Sequence, residues 1–395
     1  MKVLIADKVS AKMVADLKAL GCDVVLNPDV TAEALPAALA GIEILIVRSK
    51  EVTADAVEAG ASLSLIIRAG AGVNTIDIKT ASEHGIYVAN CPGKNTDAVA
   101  ELAIGLLIAA DRRIPDALID LRAGQWRKKE YGKARGLKGR TLGIVGLGSI
   151  GSDVARRALA MDMNVVAWSR SLTPEKAKAL GIGFCASLNE LAEKADAVSL
   201  HLALSRETRG IINTDFFSRL KKGALVVNTA RSEVVDSAAL KDALRKGQIR
   251  AGLDVFDNEP AEGDAPFADT ELASLLSAAS PHIGASTDQA EEAIAEETVR
   301  VAKTFLETGK PLNAVNPRKL HTGIPLVIRH YNRVGVLASV LHELRNEGIN
   351  IEEMENTIFE GELAACCALV LDKTPSDLLL KRIAGGDNII QAMLK

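Results

Sequence analysis

The chain reads as an α/β protein: two parallel-sheet domains, the first discontinuous, followed by a smaller βαββαβ module. Three observations predict this. Short apolar runs alternate with helical stretches from Lys2 to Asn90 and again from Thr141 to Val255, the signature of strands joined by crossover helices. Hydrophobic residues make up 48% of the 395 residues and aromatics only 3%, so the core is aliphatic, as suits helices packed on parallel sheets. Finally, Gly309-Lys310-Pro311 and Asn316-Pro317 break the helical pattern, and beyond them the order of elements changes. The length also calls for two or three domains, since one core rarely grows beyond about 250–300 residues.

The elements follow in order. The first series runs through a strand at Val3 to Ala6, a helix at Ser10 to Leu20, and strands at Val24 to Leu26, Ile44 to Val47 and Leu65 to Ile67. Thr96 and Asp97 read as the cap of a long apolar helix, Ala98 to Ala110, buried between layers. The second series places strands at Thr141 to Val145, Asn164 to Trp168, Ala197 to Leu202, Ala224 to Asn228 and Gly252 to Val255. A helix from Thr287 to Glu307, acidic early and carrying Lys303 late, takes the chain back to the first domain. The expected division is therefore residues 1–95 plus 285–316, residues 96–284, and a module over 322–395. That module reads as strands at Leu326 to Tyr331, Ile349 to Ile358, Leu363 to Leu371 and Asn388 to Met393, with helices at Val336 to Asn346 and Ser376 to Ile383.

Between the first two strands of the second series lies Gly146-Leu147-Gly148-Ser149-Ile150-Gly151. Its context, strand before and helix after, makes it a dinucleotide-binding turn. Gly146 permits the tight bend, Gly148 lets backbone approach a pyrophosphate, and Gly151 lets helix pack on strand. Ser149 and Ile150 open the helix, where free N–H groups face the phosphates.

Downstream stand Arg231, Glu259 and His282 in that order. Each alone has an ordinary structural use: a salt bridge, a turn, a loop histidine. Together, behind a nicotinamide turn, they meet the needs of hydride exchange between a 2-hydroxy acid and a 2-keto acid. Arg231 can take a carboxylate bidentately and polarise the adjoining carbonyl. His282 can give or take the proton, and Glu259 can orient its ring and raise its pKa.

The formal charge of −4 argues against nucleic acid or a membrane surface as a partner. Basic residues nevertheless cluster from Arg122 to Arg140, either as a solvated loop or as a positive rim for an anionic substrate anchored by Trp126. Cys22, Cys91, Cys185, Cys366 and Cys367 show neither metal-ligand nor disulfide spacing, so no metal is expected and a reducing cytoplasm is the expected home. The opening MKVLIADK lacks a signal-peptide core, and no run approaches the roughly 20 apolar residues of a membrane span.

The segments GLGSIG, NTARSEVVD (Asn228 to Asp236), GLDVFDNEP (Gly252 to Pro260) and PHIGAST (Pro281 to Thr287) resemble the D-isomer-specific 2-hydroxyacid dehydrogenase family over residues 1 to 316. The resemblance implies a Rossmann-type dinucleotide-binding domain and a flavodoxin-like substrate domain. It implies that Arg231 binds substrate, that Glu259 and His282 form the acid/base dyad, and that Thr229 and Asp254 hold the cofactor. Backbone N–H groups in the loop Arg68 to Asn74, at Ala71, Gly72 and Val73, would receive the substrate carboxylate. Val47-Arg48-Ser49-Lys50, the RAGAGVNTID stretch and the C-terminal module are most similar to the branch that oxidises 3-phosphoglycerate in serine biosynthesis. In that branch Arg48, Ser49 and Arg127 would contact the substrate, the arginines at its anionic end.

The tail HYNRVGVL, with Gly348-Ile349-Asn350-Ile351, resembles ACT domains, which bind amino acids at dimer interfaces. By that likeness His330, Asn332 and Asn350 match contacts for an L-serine effector, and a homodimer or homotetramer is implied. The alternative is a purely architectural module.

Three positions depart from the family. Trp168-Ser169-Arg170-Ser171 offers no acid for the ribose 2′-hydroxyl; Ser169 stands where an aspartate is usual, and Arg170 suits a 2′-phosphate. The cofactor is thus NAD or NADP, with Arg170 favouring NADP. Ser232 replaces a common glycine and Val334 a common proline. These departures keep a second reading open, NADPH-dependent reduction of hydroxypyruvate or glyoxylate, and a third of another class, a non-catalytic nucleotide-sensing protein.

Overall fold

The computed structural model describes residues 1–260, 265–318 and 323–395; the expected start of the last module, residue 322, lies outside them. The chain separates into two compact units, Met1–Asn316 and Pro317–Lys395.

The first unit holds two parallel sheets. One is built from β1 (Lys2–Ile5), β2 (Asp23–Leu26), β3 (Ile44–Val47), β4 (Leu65–Arg68) and β5 (Tyr87–Asn90), in the order β2-β1-β3-β4-β5. That is the flavodoxin-like order. Its central strand β3, sequence ILIV, is buried at every position because helices cover both faces. The helix Asp288–Thr308 lays Ile294, Ala295, Val301, Ala302 and Phe305 against this sheet, so the late segment does return to the early one. Thr287 caps it through the Ala290 N–H, and Gly309 ends it at φ 72°.

The other sheet contains β6 (Thr141–Val145), β7 (Asn164–Trp168), β8 (Gly183–Phe184), β9 (Ala197–Leu200), β10 (Ala224–Asn228), β11 (Ile249–Leu253) and β12 (Ala278–Ala279). Its order, β12-β11-β10-β9-β6-β7-β8, reverses direction between β6 and β9, the Rossmann switch point where ligands sit. The helix Thr96–Arg112 packs Ala100, Ala103, Leu106, Leu107 and Ala110 on this sheet. A side chain at Gly252 would meet Leu106 at 3.2 Å, so helix and β11 touch almost backbone to backbone.

Two expectations change. Thr96 and Asp97 do not cap the long helix but form its first turn, with Asn95 at the cap making no side-chain bond there; Asp97 instead faces Arg157 at 3.0 Å. The strand expected from Gly252 begins earlier, at Ile249, because Arg250 lies within it and points its guanidinium at the Ala110 carbonyl.

In the second unit, β13 (Ile324–Tyr331), β14 (Ile351–Ile358), β15 (Ala364–Leu371) and β16 (Ile389–Leu394) pair antiparallel in the order β14-β15-β13-β16. The helices Val336–Asn346 and Asp377–Ala384 complete a βαββαβ module. They cover one face, over Leu326, Ile328, Cys367, Leu369 and Leu371. Among the described residues, no helix is long and apolar enough to cross a membrane.

Candidate active site

The carboxyl ends of β3 and β4 in one sheet and of β10 and β11 in the other open on a common cleft of about 1100 Å³. Arg48, Ser49, Arg68, Ala69, Gly70, Ala71 and Asn74 line it from the first sheet, and Arg231, Phe256, Glu259 and His282 from the second.

Glu259 and His282, expected as the acid/base dyad, meet here. His282 Nδ1 lies 2.5 Å from Glu259 Oε2, and the other carboxylate oxygen of Glu259 accepts the Phe256 N–H at 2.8 Å. Glu259 therefore holds the His282 pKa above its ordinary value even though burial pushes the other way. Burial pushes the Glu259 carboxyl up, but the His282 ring, the Phe256 N–H and Arg231 more than reverse this and leave it low. With Nδ1 engaged, Nε2 is the ring atom left for a reacting oxygen.

His282 itself sits at φ 54°, in the left-handed region that few residues other than glycine adopt, histidine more readily than most. Asp254 holds it there. The Asp254 carbonyl accepts the His282 N–H at 2.7 Å, and its carboxylate accepts the Ser280 hydroxyl and the Ile283 and Gly284 N–H groups at 2.7, 2.9 and 2.9 Å. Asp254 was expected to hold the cofactor. Three of the four acceptor positions on its carboxylate already serve the catalytic loop, and the residue is 1% exposed, so its main work is positioning.

Arg231 follows β10 and donates from Nη1 to the Ala230 carbonyl at 2.6 Å; the carbonyl of Arg231 accepts the Asn228 amide at 2.9 Å. Its Nη2 would lie 2.9 Å from a side chain at Gly72, so that glycine is what lets the guanidinium come close to the Arg68 to Asn74 loop. Gly72 therefore backs Arg231, while the Val73 side chain turns away into the core beside Val52 and Ile76. Ala71 stays at the cleft and its carbonyl accepts the Asn90 amide.

Arg68 is the residue that sequence reasoning missed. Its guanidinium folds back over Gly70 so closely that no side chain fits there. Its Nε is buried without a partner, and Arg68 has no ion pair among the described residues. Burial lowers its pKa first, and the neighbouring charges of Arg231 and Arg48 lower it further. Four arginines, Arg48, Arg68, Arg209 and Arg231, thus line one cleft. The backbone carrying Arg48 and Ser49 is fixed by Asp7, one of whose oxygens accepts the N–H groups of Arg48, Ser49 and Lys50 at 2.7, 3.2 and 3.1 Å.

The dinucleotide turn fits its group. Gly146 takes φ 93°, and a side chain there would lie 2.6 Å from the His201 carbonyl of the facing loop. A side chain at Gly151 would strike the Gly146 carbonyl, whereas beyond Gly148 the space is open, as an approaching pyrophosphate requires. The helix Ser149–Ala160 has Gly148 at its cap and no side chain on its first N–H groups; Ile150 packs toward the core. The Thr229 hydroxyl is buried with no partner, as befits an atom that meets a ligand. Ser169 and exposed Arg170 follow directly on β7, and neither supplies a carboxylate. His201 is kept neutral by burial, its pKa lowered to about 4, and bonds the Ser199 hydroxyl at 2.8 Å.

Other expected contacts are not brought to the cleft. Arg127 lies outside it, paired with Asp120 at 3.4 Å on an exposed arm. Trp126 anchors nothing, being 80% exposed, because the neighbouring helix Ile114–Arg122 buries no residue for it to pack on. In the second unit His330 is 2% exposed, on the helix-covered face of β13, with Nδ1 near the Tyr331 carbonyl and Nε2 near Asn356. Asn332 donates to the Glu362 carbonyl, and Asn350 lies beyond the other end of the sheet, where Ile351 and Ile324 both face Leu371. One copy of the chain therefore does not gather His330, Asn332 and Asn350 into a single pocket.

A Rossmann turn with Arg231 and a hydrogen-bonded Glu-His pair across one cleft are the features of a nicotinamide-dependent dehydrogenase of 2-hydroxy acids. Residues 104–284 match the family described as D-isomer specific 2-hydroxyacid dehydrogenase, NAD binding domain. A D-3-phosphoglycerate dehydrogenase of Methanocaldococcus jannaschii is 35% identical over 367 residues, 92% of this chain and 68% of the relative. A hydroxypyruvate reductase of Thermotoga maritima is 41% identical over 271 residues, 68% of this chain and 85% of the relative. The chain belongs to the D-isomer-specific 2-hydroxyacid dehydrogenase family. Some curated relatives are much longer, and the chain spans 59% of a D-3-phosphoglycerate dehydrogenase of Archaeoglobus fulgidus. Among solved structures, the NAD⁺-bound 3-phosphoglycerate dehydrogenase of Entamoeba histolytica is 27% identical with a TM-score of 0.67, covering 81% of this chain and 99% of that one. An NADPH-dependent glyoxylate/hydroxypyruvate reductase of Sinorhizobium meliloti is 29% identical with a TM-score of 0.70 over the same shares.

Proposed function

We propose that the protein is a D-3-phosphoglycerate dehydrogenase, interconverting D-3-phosphoglycerate and 3-phosphohydroxypyruvate in serine biosynthesis. The observation that carries this reading is that, of the four arginines lining the cleft, Arg68, Arg209 and Arg231 hold no carboxylate among the described residues, more free positive charge than a single carboxylate of the substrate needs. In oxidation, Arg231 clamps the carboxylate and fixes C2 beside the ring. Nε2 of neutral His282 takes the hydroxyl proton, and Glu259 stabilises the imidazolium that forms. A nicotinamide held at the Gly146 to Gly151 turn would supply the acceptor for the hydride from C2. Reduction runs the same contacts backward, with His282 giving its proton to the carbonyl oxygen. Arg48 and Arg68 would hold the phosphate.

The cofactor reading that the residues favour is NADP, through Arg170 and the missing acid at Ser169. The substrate domain is residues 1–95 with 285–316, and residues 96–284 hold the dinucleotide. The helix Ile114–Arg122 exposes Ile114, Leu118, Ile119 and Leu121, an apolar face that suits a second copy, and through such a homodimer Arg127 would reach a substrate. L-Serine as effector likewise needs two copies, one giving Asn332 and the other Asn350. Five free cysteines suit a reducing cytoplasm.

A steady-state screen of 3-phosphoglycerate, 3-phosphohydroxypyruvate, hydroxypyruvate and glyoxylate against both cofactors tests the reading. The expected result is the highest kcat/KM with the phosphorylated pair and NADP(H). Higher efficiency with hydroxypyruvate or glyoxylate would move the protein to the reductase branch, which the Thermotoga maritima relative favours. No turnover at all would favour a nucleotide-sensing protein.

A further inference from the structure

Arg48 already holds a carboxylate before any substrate arrives. Its Nη1 donates to Glu291 Oε1 at 3.0 Å, while Asp7 fixes its backbone from below. Glu291 stands on the first turn of the helix Asp288–Thr308, directly after the loop that carries His282, and Ile294 of the same helix lines the cleft. Of the four cleft arginines, Arg231 has only a backbone carbonyl as a hydrogen-bond partner, and Arg68 and Arg209 have no ion pair among the described residues. Arg48 alone of the four holds a carboxylate among the described residues.

We propose that Glu291 is a specificity-determining residue that competes for Arg48 with the distal anionic group of the substrate. This rests on the reading of the cleft as a 2-hydroxyacid site that admits a phosphorylated substrate. A 2-keto acid with a phosphorylated tail must displace the Glu291 carboxylate from Arg48, or share the guanidinium with it against like-charge repulsion. A 2-keto acid with an uncharged hydroxyl tail leaves the pair intact. Glu291 thus narrows the gap between phosphorylated and unphosphorylated substrates without touching either. The pair is partly exposed, at 32% and 47% of the two side chains, so solvent screens it and the effect is moderate.

The test is Glu291→Gln, which keeps shape and helix while removing the charge, assayed on the full-length enzyme with phosphohydroxypyruvate and hydroxypyruvate. The ratio of their kcat/KM values should rise about fivefold in favour of the phosphorylated substrate, carried by KM rather than kcat, as the loss of one partly exposed ion pair allows. In an Arg48→Ala background the same substitution should leave the ratio where Arg48→Ala alone put it. A ratio unmoved by Glu291→Gln, or moved equally with and without Arg48, overturns the proposal. Should the wild type reduce hydroxypyruvate and not its phosphate, the phosphoglycerate reading fails by itself. The inference is then still decided, since it requires Glu291→Gln to gain turnover of the phosphorylated acid.

Discussion

The two units treat their candidate residues in opposite ways. In the first, side chains as far apart in sequence as Arg48, Arg231 and His282 meet in one cleft, because parallel strands all release their chains at the same edge. In the second, His330, Asn332 and Asn350 lie within a short stretch yet separate: one is buried under helices, and the other two lie at opposite ends of a sheet. Proximity in sequence is therefore a poor guide to a shared site, and strand direction is a better one. The cleft gathers Arg48, Arg231 and His282 within one copy, whereas one copy of the module does not bring His330, Asn332 and Asn350 together.

That contrast breaks most sharply at His282. Replacing it with alanine should cut kcat by about 10²–10⁴-fold with little change in the melting temperature, since it removes a proton carrier from an otherwise intact cleft. Steady-state kinetics beside a thermal melt would read both. Retained turnover would mean that the cleft is not a one-chain catalytic site.

Glu259→Gln should act less strongly and in a particular direction. His282 must be neutral to accept a proton, so oxidation rises as pH climbs through its pKa, and reduction falls over the same range. Glu259 is the main cause holding that pKa up. Removing the charge should shift the acid limb of the oxidation profile to lower pH and lower the maximal rate by roughly tenfold, because the ring loses its orientation but not its chemistry. A pH profile of kcat/KM checks this, and an unmoved limb would separate Glu259 from the ring it faces.

The smallest effect concerns the second unit. Asn350→Ala should leave turnover in the absence of effector unchanged while abolishing inhibition by millimolar L-serine. Mixing that variant with Asn332→Ala should restore part of the inhibition if each copy supplies one half of the pocket. Full inhibition of both single variants would leave the module as scaffold.

Much of this architecture was legible in the residues. The limits of β3, β6, β7 and β10 follow directly from their apolar runs, since a strand covered on both faces tolerates little else. The triad could be read because its order behind a glycine turn constrains chemistry. Strands β8 and β12 escaped, each too short to show a period. Arg68 escaped for a different reason. At the end of an apolar run it resembles any arginine leaving a sheet, and only the steric conflict over Gly70 reveals that its guanidinium folds into the cleft. Arg127 is the opposite case: the resemblance names it as a contact, yet within one copy it pairs with Asp120 outside the cleft.

The left-handed turn at His282 has a consequence for how this enzyme tolerates change. A histidine in that conformation is held by the carbonyl and carboxylate of a single buried aspartate, with Ser280, Ile283 and Gly284 drawn in around it. The loop thus has one keystone rather than many small supports. Drift at the cleft rim can retune which acids are accepted, while drift at Asp254, which does not line the cleft, would unseat His282 for all of them at once.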